Sequence, residues 1–196
     1  MHTWQRRTVV SDGRAVLLRR ARSGDEGRIQ NFVEALSWQS RYQRFFIPLR
    51  ELPAAMMVRL VQPDDRRSAA LLAFAGGEGG AVIGLAQYDA ISDQATAQNE
   101  AEAAVIVGET WRRVGLARQL LSDLAVIAAS AGIVRVRAGI LRDNAAALRL
   151  ARQLGCLVDV HSSDSHAVHV VRFLQGAPPN SRGTPRTIVQ RLGGVS

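Results

Sequence analysis

The chain has 196 residues, of which 47% are hydrophobic and 21% are charged, and this balance excludes a disordered polymer. Its length is sufficient for one domain with a substantial core. All 25 basic residues are arginines, against 17 acidic residues, which gives a formal net charge of +8. Such a charge can attract nucleic acid, an acidic membrane or a polyanionic small molecule.

The distribution of residues narrows these options. Because the arginines are scattered and aromatic residues make up only 5% of the chain, we do not expect nucleic-acid binding. The sequence carries no apolar run long enough to cross a bilayer and no signal-peptide core, so no membrane association is expected. The single cysteine, Cys156, cannot form an intrachain disulfide, and a cytoplasmic location is expected.

In chain order, the N-terminal part predicts one strand followed by three helices. Residues 1–10 are expected to be an extension, and residues 14–20 form the first strand. Ser23 to Glu26 has capping-box spacing and predicts the start of a helix. That helix is expected to bury Ile29, Phe32, Val33 and Leu36. Two short helices follow, around residues 39–46 and 53–61, the second with Pro53 near its start.

The remainder of the chain alternates between strand and helix signals. Strands are expected at residues 68–74, 81–91, 100–107, 133–140, 157–161 and 167–173, and helices at 115–130 and 144–154. From residue 175 to 196 the composition predicts a flexible tail. The interleaved signals predict an α/β fold: a single domain over residues 11–174, with a mixed central sheet of about six to seven strands flanked by helices.

The junction between the strand at 100–107 and the long helix is the most informative segment. The strand is apolar on both faces, which is typical of a central strand. The first backbone N–H groups of a helix, with its dipole, form an anion site. Gly115 and the small Ala117 leave room for an anion, and the guanidinium groups of Arg112 and Arg113 suit phosphate oxygens. On the residues alone, a helix start whose arginines are merely solvated is equally consistent.

Arg112-x-x-Gly115-x-Ala117 resembles the Q/R-x-x-G-x-G/A signature of the GNAT superfamily of N-acetyltransferases. The resemblance implies that acetyl-CoA is the acyl donor and that the loop amides hold its pyrophosphate. Asn144, in the segment LRDNAAALRLARQLGC, resembles the asparagine that lies beside the pantetheine arm in this family. The implied cofactor-binding residues are Val105, Ile106, Val107, Arg112, Arg113, Val114, Gly115, Leu116, Ala117 and Asn144.

Two further segments resemble the branch of bacterial protein lysine acetyltransferases (Pat-like enzymes). They are SRYQRFF, from Ser40, and SDGRAVLLR, from Ser11. The branch implies a protein lysine as the first acceptor, with a small-molecule amine as the alternative. A homodimer is left open, and no metal is expected, because His161, His166 and His169 are interpreted as surface residues.

Glu102 is the candidate general base, since an amine must lose a proton before it attacks a thioester. Ala101-Glu102-Ala103-Ala104 resembles the "AExA" of the Pat-like branch, and the neighbours of Glu102 on its strand face predict an apolar setting. Glu100 is the reserve candidate. The alternative is that Glu102 is not catalytic and is either exposed to solvent at a strand edge or paired with an arginine.

The sequence departs from the family pattern at three positions. Ala151 stands where many members have a tyrosine acid, so the general acid is unassigned, with Tyr88 as a weak candidate. Cys156 replaces a phenylalanine, and Arg113 replaces a glycine. A non-catalytic acyl-CoA-binding module is therefore the alternative to an enzyme.

Overall fold

One mixed sheet of nine strands organises the protein, in the order β1-β2-β3-β4-β5-β6-β8-β7-β9. The computed structural model describes residues 4–91, 99–174 and 189–191. The strands are β1 (Gln5–Val9), β2 (Ala15–Arg20), β3 (Ser68–Ala75), β4 (Val82–Ala90), β5 (Glu100–Val107), β6 (Arg135–Leu141), β7 (Leu157–Asp159), β8 (Ala167–Phe173) and β9 (Val189–Arg191). The helices are α1 (Glu26–Ala35), α2 (Trp38–Phe45), α3 (Ala54–Val61), α4 (Leu116–Ser130) and α5 (Ala145–Gln153).

The pairing of β5 with β6 sets the geometry of the centre of the sheet. It is the one parallel pairing among the described strands, and it covers three residue pairs, from Glu100 with Arg135 to Glu102 with Arg137. Beyond Glu102, β5 stays paired with β4 and β6 stays paired with β8. The two central strands therefore part, and a gap opens between them.

Helices cover both faces of the sheet. On one face, α4 packs an apolar stripe, which includes Leu116, Leu120 and Leu124, against β3, β4 and β5. On the other face, α1 and α3 pack against β3 and β4, and the four side chains predicted to be buried, three in α1 and Leu36 at its C-cap, are buried. Beside α4, α5 covers β6 and β8. Burial of apolar area on both faces is the main stabilising contribution to such a layered fold.

The predicted α/β class with a single mixed sheet is confirmed, but the sheet has more strands than predicted. Residues 5–9 form an edge strand on β2, and residues 189–191 form one on β7. Both are short and polar, so they lack the hydrophobic pattern by which a strand is recognised. The remaining residues of the predicted tail, 175–188 and 192–196, lie outside the described residues, and the predicted domain limits stay a prediction.

The start of α1 differs from the predicted capping box. Asp25 occupies the N-cap position, two residues after Ser23, and its side chain does not cap the helix. Its carboxylate accepts two hydrogen bonds of 2.7 Å from Arg19 and one of 3.0 Å from the N–H of Arg22. Arg19 and Asp25 are both about 4% exposed, so this pair joins β2 to α1 inside the protein.

Asp25→Asn should destabilise the fold by about 3–5 kcal/mol, because the buried Arg19 guanidinium then keeps only the half-exposed Glu78 carboxylate, 3.8 Å from its Nε atom, as a counter-charge. Burial raises the pKa of Asp25, but the Arg19 and Arg22 hydrogen bonds outweigh it and hold the pKa below its usual value. The stability difference from wild type should therefore be full at neutral pH and shrink as the pH falls below about 4. Urea unfolding at pH 7 and at about pH 3 measures both effects.

Asp65→Asn is the matched control, since Asp65 pairs with Arg20 at the surface with its side chain 62% exposed. Its effect should be at most about 1 kcal/mol. Equal and small losses in the two variants would show that the buried pair does not stabilise the fold.

Candidate active site

A cleft of about 370 Å³ occupies the gap between β5 and β6. Its first arm, the α4–α5 arm, is largely apolar and is lined by residues such as Leu121, Ala125, Ala128, Leu150 and Ala151. Its second arm, the α2–α3 arm, lies on the opposite face of the sheet and carries most of the charged groups. It is lined by Arg44, Phe45, Phe46, Met56, Arg59, Gln87, Glu102 and Arg137.

The backbone of β5 also faces the gap. The Gly108 N–H donates to Ile83, and Glu100 accepts from Ile91, so the even-numbered residues of β5 bond to β4. In an antiparallel ladder the alternate residues point their N–H and C=O groups the other way. Ala103 and Val105 therefore direct these groups towards the gap, where a bound extended chain could pair with them as a strand would.

The first turn of α4 lies just past the end of β5, as the sequence predicts. Gly115 occupies its N-cap position with φ of 85°, in the left-handed region that glycine favours. A Cβ atom at Gly115 would meet nothing within 4 Å, so the space beside this residue is open. Leu116 is buried beneath this turn and Ala117 packs beside the core. The geometry is that of an anion site.

Arg113 and Val114 shape the loop that leads to this turn. Arg113 has a φ of 61°, a conformation that is uncommon for a residue with a side chain, and it is exposed. The carbonyl of Val114 accepts a 3.2 Å hydrogen bond from the Ser11 N–H, which ties the loop to the turn between β1 and β2. The αL backbone of Arg113 agrees with the glycine that the family pattern has here.

Arg112 turns its side chain away from the first turn of α4 and towards α2. Its Nη2 atom donates to the Ser40 Oγ atom at 2.6 Å and lies 3.3 Å from Glu109 Oε1, and its Nε atom donates to the Val107 carbonyl at 3.4 Å. Glu109 also accepts from the Ser40 hydroxyl at 2.5 Å and from the Ser37 N–H at 3.1 Å. We call Ser37, Ser40, Glu109 and Arg112 the loop brace, because together they fasten the loop to α2.

Glu109, the carboxylate of the loop brace, is ionised over the whole neutral range. Burial raises the pKa of Glu109, but hydrogen bonds from Ser40 and Ser37 outweigh it and lower the pKa to about 2. The sequence did not identify Ser37, Ser40 or Glu109 as site residues. The spacing of Ser37 and Ser40 at the start of α2 is a visible capping signal, because Ser37 caps Ser40 N–H. The partnership with Glu109, 69 residues further on, leaves no local signal.

The other predicted cofactor-binding residues lie on β5 and at the start of α5. Val105 lines the cleft, whereas Ile106 and Val107 are buried and pack on opposite faces of β5. Asn144 lines the cleft and caps α5, with its Oδ1 atom accepting from the Ala147 N–H at 3.1 Å. Because β5 and β6 are parallel, Asn144, which follows β6, and the first turn of α4, which follows β5, both lie beyond the C-terminal ends of the strands that border the gap. Glu102 lies at the other end of the gap, where the two strands are still paired.

Glu102 lies in the α2–α3 arm and is exposed, which differs from the predicted apolar setting. The neighbouring strands bring charged residues to it: it pairs in register with Asp89 on β4 and with Arg137 on β6. Glu100, the reserve candidate, is 9% exposed and its carboxylate is bound by Arg135. Of the two candidates, only Glu102 lines the cleft, and its carboxylate has no hydrogen-bond or ion-pair partner among the described residues.

Tyr88, the candidate acid, and Cys156 both line the cleft. Tyr88 packs on the α4 face with Leu124 and Ala128, on the side of the sheet opposite to Glu102, and burial raises the pKa of its hydroxyl. Cys156 lines the α4–α5 arm, and burial raises the pKa of its thiol, which keeps it protonated at neutral pH. A thiolate nucleophile is therefore disfavoured at Cys156.

The described part of the chain contains no group of three or more His, Cys, Asp or Glu side chains arranged to hold a metal ion. Within the same residues, no helix combines the length and the apolar character that a membrane span requires.

Comparison with known proteins matches this architecture to one family. A sequence model of the Acetyltransferase (GNAT) family matches residues 32–156. Acetyltransferase PA5475 of Pseudomonas aeruginosa is 28% identical over 120 residues, which are 61% of this chain and 62% of that protein. The match thus spans less than two thirds of the length of that relative.

Two solved structures share the fold. The GNAT domain of S. lividans PAT superposes with a TM-score of 0.79 at 30% identity, covering 87% of this chain and 97% of that domain. The structure of yncA from Salmonella typhimurium, solved with its cofactor acetyl-CoA, superposes with a TM-score of 0.64 at 21% identity, covering 85% of this chain and 98% of that one. The family match covers more than half of the 196 residues. The chain belongs to the GNAT family of acetyltransferases.

Proposed function

We propose that the protein transfers an acetyl group from acetyl-CoA to a primary amine, with a protein lysine as the first acceptor to test. The observation that carries this proposal is the gap between β5 and β6, because β5 connects the anion site at α4 with the free carboxylate of Glu102. The choice of a protein lysine as the acceptor rests on the resemblance of residues 40–46 and 11–19 to the Pat-like branch.

Acetyl-CoA would bind along β5. Its pyrophosphate would lie on the open amides at the start of α4, at Gly115, Leu116 and Ala117, where the helix dipole favours negative charge. The exposed Arg113 adds positive charge nearby. Val107 follows Glu102 by five positions on β5, which is a distance of about 16 Å along the strand. The extended thioester arm of acetyl-CoA suits this distance.

The loop brace supports this binding mode indirectly. Because Arg112 bonds to Ser40, Glu109 and the Val107 carbonyl, its role is to hold the loop rather than to grip phosphate. The first position of the signature thus acts as a positioning residue in this chain.

The chemistry follows from the groups that face the gap. Glu102 removes one proton from the acceptor ammonium, and the neutral amine attacks the thioester carbonyl carbon. The N–H groups of β5 that face the gap, at Ala103 and Val105, are placed to donate to the resulting oxyanion. The C–S bond then breaks, the amine nitrogen passes its second proton to the departing sulfur, directly or through water, and CoA leaves as the thiol. Since a thiol has a pKa of about 8.5, it can leave without a protein acid.

Glu102→Gln should lower kcat by about 10²- to 10⁴-fold while leaving the KM for acetyl-CoA unchanged, because only proton removal is lost. Steady-state release of CoA thiol, with mass spectrometry of the acetylated acceptor, measures this. Glu51→Gln is the matched control, as it removes an exposed carboxylate outside the cleft. Full activity in Glu102→Gln would remove Glu102 from its role. Tight binding of acetyl-CoA by the wild type without turnover on any amine would instead indicate a binding module.

Gly115→Ala should raise the dissociation constant for acetyl-CoA by about 10-fold, since the added methyl group enters the space that the pyrophosphate needs. Gly155→Ala controls for backbone strain: Gly155 has a φ of 73° and open space around it, but it lies at the end of α5. Both variants should lose about 1–2 kcal/mol of stability. Calorimetric titration with acetyl-CoA should separate them, and equal affinities would contradict the placement of the pyrophosphate.

A further inference from the structure

The α2–α3 arm, in which the proposed acceptor binds, is positively charged. Three arginines line it, Arg44, Arg59 and Arg137, against the carboxylate of Glu102 and that of Asp89, which lies opposite Glu102 in the β4–β5 register. None of these arginines forms an ion pair within the described residues, whereas Arg19, Arg112 and Arg135 each have a carboxylate partner. An acceptor that arrives as a bare ammonium ion would meet an excess of like charge here.

Arg44 is the most constrained of the three. Its Nη2 atom donates to Gln87 Oε1 at 2.8 Å, and its guanidinium carbon lies 4.8 Å from the centre of the Phe45 ring. Its Nε atom is buried and has no hydrogen-bond partner among the described residues. Burial lowers the pKa of Arg44 to about 10, while the negative charges of Asp89 and Glu102 act in the opposite direction. A desolvated guanidinium without an ion-pair partner is stabilised when an anion binds to it.

Gln87 fixes the position of Arg44. Its Nε2 atom donates to Asp89 Oδ2 at 2.9 Å, which leaves its Oε1 atom to accept from Arg44. Asp89 lies opposite Glu102 in the β4–β5 register, so Gln87 is the diagonal neighbour of Glu102 on the same face. Such neighbours are about 7–8 Å apart, close enough for one ligand to reach both the guanidinium and Glu102.

From this juxtaposition we infer that the acceptor amine carries a carboxylate, which Arg44 binds while Glu102 receives the ammonium proton. The planar guanidinium group suits a carboxylate, and the ligand's negative charge offsets the excess of arginines in the arm. The carboxylate can belong to a free amino acid or to an acidic side chain that flanks a lysine in a peptide. This inference rests on the proposed acetyl transfer and specifies its acceptor.

Arg44 is thereby a specificity-determining residue. The side chains of Phe46 and His169 lie close to Gly139 on β6. A Cβ atom at Gly139 would lie 3.7 Å from Phe46 Cζ and 3.4 Å from His169 Cε1. These two side chains therefore narrow the α2–α3 arm at this point. This closure favours a compact carboxylated group beside the amine over a bulky one.

The test compares acceptors that differ only in the carboxylate. One pair is free lysine and lysinamide, and the other is a lysine peptide flanked by glutamate and the same peptide flanked by glutamine. For wild type, kcat/KM for the carboxylated member of at least one pair should be about 10- to 100-fold higher. A preference in the first pair alone identifies a free amino acid, and a preference in the second alone identifies an acidic peptide.

In Arg44→Gln the preference should fall to within about 3-fold, with the KM for acetyl-CoA unchanged, and Arg44→Lys should restore part of it. Arg7→Gln is the matched control, because Arg7 is exposed on β1, outside the cleft, and this variant should keep the full preference.

Acetylation of both members of each pair at equal rates by the wild type would overturn this inference and leave the proposed function standing. This outcome is decisive even if Arg44→Gln does not fold. A full preference retained in a folded Arg44→Gln would equally overturn it. No acetylation of any of the four acceptors would overturn the inference together with the proposed function.

Discussion

The parting of β5 from β6 after three residue pairs is the constraint on which the site depends. A sheet that stayed paired at this point would have no room between its central strands, and its backbone groups would bond to each other. Because the strands part, Ala103 and Val105 direct backbone donors and acceptors into the gap. The helices on both faces hold the sheet in this arrangement through buried apolar contacts. The fold thus builds a cleft without distorting either strand.

The arginines of this chain divide into structural cations and unpaired ones. Arg19 binds the carboxylate of Asp25 and thereby connects β2 to α1. Arg112 binds the carboxylate of Glu109 and thereby helps to fasten the loop before α4 to α2. Arg44 and Arg137 line the cleft without such partners among the described residues. Part of the excess positive charge behind the net charge of +8 is therefore concentrated in the cleft, where an anionic group of a substrate can offset it.

Local patterns in the sequence predicted the elements well where they depend on hydrophobic periodicity or on a short signature. The strand at 100–107 and the long helix that follows it are confirmed, because both are properties of consecutive residues. The loop brace and the charged surroundings of Glu102 could not be predicted in this way. Each depends on residues that are distant in sequence, such as Ser40 with Glu109, and on which strands become neighbours. Edge strand β1 was missed because its polar residues carry no core pattern.

A crystal structure of the protein with acetyl-CoA tests the central claim most directly. The account predicts pyrophosphate oxygens within about 3 Å of the backbone nitrogens of Leu116 or Ala117. It also predicts that the thioester arm lies between β5 and β6, paired with Ala103 or Val105, with the acetyl group beside Glu102. Acetyl-CoA bound on another surface, with β5 and β6 drawn together, would contradict the account.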